Sequence, residues 1–240
     1  MFTVVIGLSV VGSLGGLLIA SLLVLGGPAR YTLIPALISY AVGTLLGVAL
    51  LALLPEALAQ LEPGGVFFSL LTGILSFFML EKLVIWRHCH VDECDVHARS
   101  APLILVGGAV HNFTDGAVIA AAVLSSVPLG ISTALAVAAH QVPQEVSDYA
   151  ILLRAGYTRR RALTLNTLTA GAGIVGAVVV YFSAGLAPSA VPYFLAFAAG
   201  NFLYVAMSDL IPGLHSGTVD VSALRQVLLI VAGIGTVLIF

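Results

Sequence analysis

The chain has 240 residues, 60% of them hydrophobic and 8% charged, with a formal net charge of −2 and a mean hydropathy of +1.14. Soluble domains carry about 25% charged residues, so a water-facing protein is excluded and an integral membrane protein is implied. At about 20 apolar residues per spanning helix, the length allows at most about eight or nine spans.

Polar and Pro/Gly punctuation cuts the chain into eight apolar segments, at about 2–26, 32–60, 65–87, 101–125, 129–154, 160–184, 189–213 and 221–240. The expected fold is a single all-α integral membrane domain over residues 1–240 with eight transmembrane helices, because the ten-residue alternation of a membrane barrel is missing. The first segment, MFTVVIGLSVVGSLGG, has no basic leader and reads as a retained span, not a cleaved signal. Every Lys and Arg falls on one side of this layout: Arg30 in loop 1–2, Lys82, Arg87 and Arg99 around loop 3–4, Arg154, Arg159, Arg160 and Arg161 around loop 5–6, and Arg225 after loop 7–8. The positive-inside rule makes those loops cytoplasmic and leaves both termini outside.

Segments 2 and 7 are alike. YAVGTLLGVALLALLP (40–55) aligns with FAAGNFLYVAMSDLIP (197–212) through Ala41/Ala198, Gly43/Gly200, Leu46/Leu203, Val48/Val205, Ala49/Ala206, Leu53/Leu210 and Pro55/Pro212. The two run in opposite directions, so the repeat is inverted, with helices 1–3 mirroring 6–8 around a central helix 4–5 pair. Such repeats place transporter sites near the midplane.

The central pair carries the chemistry. Segment 4 holds His111, Asn112 and Asp115, and segment 5 holds His140, Gln141, Gln144, Glu145 and Asp148. His111/Asp115 and His140/Gln144 are i,i+4 pairs, each on one helix face. Both histidines fall near the middle of their spans, at matched depth by the 1.5 Å rise. Ionisable groups there cost about 2.5–3.5 kcal/mol or more, and no Lys or Arg is at hand to offset them. A mobile cation is the expected completion. Imidazole with carboxylate suits Zn²⁺ and other first-row ions. Pro143 removes a backbone hydrogen bond and frees the carbonyl of Ala139, next to His140.

HNFTDG (111–116) followed by HQVPQEVSDYAILLRAGYTRRRAL (140–163) resembles the paired helix 4 and helix 5 signatures of ZIP (Zrt/Irt-like) metal transporters. The likeness is to the subfamily whose fifth helix usually reads HEIPHE. It extends to LLALLPEA in segment 2, FFMLEKLVIWRHCH leading into loop 3–4, and DLIP in segment 7. The resemblance implies a metal site built by His111, Asp115, His140 and Gln144, and an elevator-like motion of helices 1, 4, 5 and 6 against 2, 3, 7 and 8. Small residues in helices 1 and 6 (Gly12, Gly15, Gly16, Gly171, Gly173, Gly176) would suit sliding contacts. The family can carry a second metal beside the first, through Asn112, Asp115 and positions 141 and 144. Here Gln141 and Gln144 stand where that subfamily has Glu and His, and Ala52 where it often has His. One strong metal position and a weak or absent second are therefore expected. Glu145 is counted with the core ligands, and Asp148 and Asp209 with an exit route.

RHCHVDECDVHAR (87–99) is a His/Cys/acid-rich cytoplasmic loop. Its candidate ligands are His88, Cys89, His90, Glu93, Cys94, Asp95 and His97, expected to accept or sense incoming ions. A reducing cytoplasm disfavours a disulfide between the two cysteines. The expected function is transport of divalent ions toward the cytoplasm, zinc first, with Cd²⁺, Fe²⁺ and Mn²⁺ as further substrates and no cofactor. Uptake should fall below about pH 6, where the imidazoles protonate. The alternatives are a proton or monovalent cation pathway and an intramembrane metal sensor. An enzyme is not expected, since HExxH and GxSxG are missing. The expected partners are metal ions and the bilayer, with a homodimer as a candidate assembly and no nucleic acid. The inner cell membrane is the expected location.

Overall fold

The computed structural model describes residues 1–25, 30–86, 96–214 and 221–240. Among them there is no strand, and the helices form eight rods: α1 (2–25), α2 (30–58), α3 (Pro63–Trp86), α4 (Val96–Ser125), α5 (Val127–Arg154), α6 (Arg159–Leu186), α7 (191–214) and α8 (Val221–Val237). Apolar solvent gives backbone N–H and C=O groups no partner, so a spanning segment must satisfy them internally. Among the described residues six helices are long and apolar enough to cross a membrane: Phe2–Leu23, Leu33–Leu58, Pro63–Leu83, Pro102–Ser125, Arg159–Leu186 and Pro188–Leu214. The chain is an all-helical integral membrane protein. Helix α5 falls outside that set because it carries His140, Gln141, Gln144, Glu145 and Asp148, most of which its neighbours bury. The α8 segment Ala223–Val237 is apolar but shorter.

The connections have local causes. Ser126 caps α5 by accepting from Leu129 N–H at 3.3 Å, and Thr158 caps α6 by accepting from Arg161 N–H at 3.3 Å. Between them Gly156 adopts φ +86°. Its N–H donates to Leu153 O and that of Tyr157 to Leu152 O, a Schellman ending that requires the left-handed conformation glycine adopts without strain.

The rods pack as two groups. Helix α4 packs on α6 and α5, and α1 packs on α5 and α6; elsewhere α2 pairs with α8 and α3 with α7. The groups meet where α5 lies on α2 and α4 approaches α7. In the pairs, glycine lets backbones touch. A Cβ on Gly43 would overlap the carbonyl oxygen of Ile230, and one on Gly233 that of Tyr40. The α3–α7 crossing repeats this: Gly200 faces Leu70 O and Gly73 faces Phe197 O. Helices α2 and α7 also each widen into a π-helical stretch, Ala49–Leu53 and Val205–Leu210. No feature of the sequence reading anticipated these wide turns.

Several glycines of α1, α4 and α6 pack within one helix group. Gly176 faces Phe113 O and Gly116 faces Gly173 O, locking α6 on α4, while Gly16 lies against Gln141 and Ala138 O of α5. These contacts lie inside the first group and hold it together. Gly171 has nothing within 4 Å.

Candidate metal centre

The i,i+4 spacing on α4 brings His111 Nε2 to 3.3 Å from Asp115 Oδ2. From α5, His140 Nε2 lies 3.3 Å from the same oxygen and 3.2 Å from His111 Nε2. Three ligand atoms thus form a nearly equilateral triangle, and all three residues are buried. Zinc–nitrogen and zinc–oxygen bonds of about 2.0–2.1 Å give a tetrahedral edge of about 3.3–3.4 Å. The triangle therefore matches one face of a tetrahedral ion.

The imidazoles are oriented by their surroundings. His140 Nδ1 donates to Ala136 O at 2.9 Å, which leaves the Nε2 lone pair facing Asp115 and His111. Such a second hydrogen bond fixes tautomer and ring direction. Phe77 of α3 meets the His111 ring edge-on at 5.4 Å, and Phe202 of α7 meets His140 at 5.9 Å. The second helix group thus walls the site with apolar rings.

Asn112 and Gln141 brace the carboxylate. Asn112 Nδ2 donates to Gly108 O at 2.9 Å, which turns its Oδ1 toward α5. Gln141 Nε2 donates to that Oδ1 and, at 3.2 Å, to Asp115 Oδ2. A neutral amide donor occupies the position beside Asp115 that a second cation would need.

The centre opens into a cavity of about 470 Å³ whose walls include His111, His140, Gln144, Asp148, Asp209 and Glu81. Gln144 is half-buried in that wall and is not a corner of the triangle. Asp148 and Asp209 line the same cavity and are not corners of the triangle. Glu145 does not line it. It lines a separate small cavity with Asn166, Leu17 and Tyr149. Glu81 was not a sequence candidate, although an acid inside an apolar span is a signal in itself; it accepts a hydrogen bond from Tyr204. Of the loop candidates, His88, Cys89, His90, Glu93, Cys94 and Asp95 lie outside the described residues, as does the side chain of His97.

A helical membrane protein with a buried His/His/Asp triangle opening on a cavity with acids in its wall belongs to the class of intramembrane metal-handling proteins. The comparisons narrow the class. Residues 87–240 match the family model of the ZIP zinc transporter. Zinc transporter ZIP13 of Pongo abelii is 36% identical over 220 residues, covering 85% of this chain and 66% of that protein. Zinc transporter YKE4 of Saccharomyces cerevisiae is 31% identical over 224 residues, covering 79% of this chain and 64% of its own length. Zinc transporter ZIP4 of Homo sapiens is 44% identical over 115 residues, 47% of this chain and 17% of that protein. The chain thus spans about two thirds of the length of the first two relatives. It belongs to the ZIP family, a family of membrane transport proteins and not enzymes.

Proposed function

We propose that this chain moves zinc and similar divalent ions across the membrane toward the cytoplasm, through the centre between α4 and α5. The observation that carries the reading is the triangle of His111 Nε2, His140 Nε2 and Asp115 Oδ2 at 3.2–3.3 Å, opening on a cavity. Three corners leave the fourth position of a tetrahedral ion toward the cavity, where water or Gln144 can complete it. No thiolate takes part, which suits an ion that must leave again. Zinc in the names of the three relatives favours zinc as the substrate.

The proposed topology has eight spans, both termini outside and an inverted repeat. It is supported by the one-sided placement of all nine Lys and Arg residues. The glycine crossings add a structural argument. Gly43 and Gly200 are aligned in the repeat, and so are Tyr40 and Phe197; each pair makes the equivalent backbone contact, one with α8 and the other with α3. The π-helical stretches fall in aligned registers too. In this topology the cavity reaches from the centre toward Asp148 and Asp209 near the cytoplasmic ends, so the arrangement is inward-facing. Transport then requires the α1/α4/α5/α6 group to shift against α2/α3/α7/α8. The loop at 88–97 would receive or sense ions, so its deletion should alter regulation and leave partial uptake.

The test is uptake into proteoliposomes across Zn²⁺, Cd²⁺, Fe²⁺ and Mn²⁺, comparing the wild type with His111→Ala. Zinc uptake lost in the variant supports the site. Equal flux for every metal would refute it, and zinc binding without flux would leave a sensor.

A further inference from the structure

Behind the metal centre, α5 presents a second set of buried polar groups to α1 and α6. Gln141 Oε1, Glu145 Oε2 and Asn166 Oδ1 are all buried and all lack a hydrogen-bond partner. The two amide oxygens are fixed as acceptors. Gln141 cannot turn its oxygen inward, because its Nε2 already serves Asn112 Oδ1 and Asp115 Oδ2. Asn166 is held the same way, its Nδ2 donating to Glu145 O at 3.2 Å. Gln141 and Glu145 are i,i+4 on one helix face. Ser13 Oγ, also buried without a partner, packs where Gly173 leaves room on α6.

A small cavity of about 20 Å³ sits at this place, lined by Leu17, Ala20, Ser21, Glu145, Tyr149, Leu163 and Asn166. That volume holds one water-sized occupant. Orphaned buried acceptors cost about 1–3 kcal/mol each, so an occupant that supplies positive charge is strongly favoured. The wall offers the Glu145 carboxylate and the Asn166 amide oxygen, with Ser21 and Tyr149 as the other residues that carry oxygen. This set is all oxygen, which selects hard cations over zinc. A single carboxylate balances one positive charge, so a monovalent ion leaves the buried site neutral and a divalent one does not.

We propose that Glu145 and Asn166, with the Ser21 and Tyr149 hydroxyls and Gln141 Oε1 one turn away, form a site for a sodium-sized monovalent cation, separate from the zinc centre. Gln141 joins the two sites, since its Nε2 faces the carboxylate of Asp115 and its Oε1 lies against Gly16 on the helix face it shares with Glu145. Occupancy polarises the amide and strengthens its donation to Asp115, so the two ions are linked reciprocally.

The first test uses metal-free purified protein and so does not depend on the zinc reading. Its melting midpoint is compared in sodium chloride and in choline chloride at equal ionic strength, with ²³Na line broadening as a direct binding readout. The wild type should be more stable in sodium and broaden the line. Glu145→Gln, which keeps shape and removes the charge, and Asn166→Leu, which removes the amide, should each show neither effect while still eluting as folded protein in choline. Equal wild-type midpoints with no broadening would overturn the proposal and leave the acceptors to water or a proton. Sodium dependence retained in both variants would also overturn it, by placing the ion elsewhere. Zinc titrations in the two salts then read the linkage: affinity should change with sodium in the wild type and not in Glu145→Gln.

Discussion

The two helix groups solve opposite problems. In α2, α3, α7 and α8 the contacts are backbone on backbone, through Gly43, Gly73, Gly200 and Gly233. Buried polar side chains are few there, and Ser39 and Thr44 turn back on carbonyls of their own helix. In α1, α4, α5 and α6 lie His111, Asn112, Asp115, His140, Gln141, Glu145 and Asn166, all buried and answering to one another across helices. One group is held by fit and the other adds a polar network to its close contacts. Rigidity can come from either, and the second arrangement also gathers three ligand atoms at one point.

Substitutions should separate the two. Gly43→Ala and Gly200→Ala put a methyl group into a carbonyl of the facing helix, which cannot turn aside as a side chain would. The expected cost exceeds the about 1–3 kcal/mol usual for overpacking, and the readout is loss of folded protein on size exclusion. Gly7→Ala and Gly235→Ala are the controls, with nothing within 4 Å, and should hold or raise the melting midpoint. A Gly43→Ala protein as stable as its control would break the description of the α2/α3/α7/α8 group.

The polar group should answer differently. Asp115→Asn keeps the shape of the side chain but removes the charge at the shared corner of the triangle. Zinc affinity in an equilibrium titration should fall beyond the about 10–100-fold that loss of a supporting partner costs, with a folded protein remaining in metal-free medium. Gln141→Leu removes such a supporting partner and should fall within that range. Similar affinities for wild type and Asp115→Asn would remove the carboxylate from the site.

How much of this was legible beforehand follows from what each feature depends on. Composition alone excluded a soluble fold, because a chain with 8% charged residues has too few to clothe a surface. The pairing of His111 with Asp115 was legible because i,i+4 spacing is a property of any helix. That His140 meets them depends on how α4 and α5 cross, and matched depth and the family resemblance made it a fair expectation. The two sides of α5 were not separable by the same means. Gln144 and Glu145 are adjacent in sequence and were read as one set, yet one turns to the cavity and the other to Asn166. Successive helical residues point about 100° apart, and only the packing of α6 decides what the second of them meets. The π-helical stretches likewise depend on contacts that apolar periodicity does not encode.

Gln144 sets the smallest and most discriminating expectation. It lines the cavity one turn from His140 and outside the triangle, so its oxygen can reach an ion only at the open fourth position. Gln144→Ala should weaken zinc binding a few-fold at most, since water can take that position at little cost. Gln144→His should act in the other sense. An imidazole is a better zinc ligand than an amide oxygen, and a gain of about tenfold in affinity corresponds to 1.4 kcal/mol. Tighter binding at the exit side of the centre should also slow release, so maximal zinc uptake in proteoliposomes should fall as affinity rises. If affinity rises and uptake rises with it, release is not limited at this position. If affinity is unchanged, the fourth position does not face Gln144 and the ion is completed by water alone.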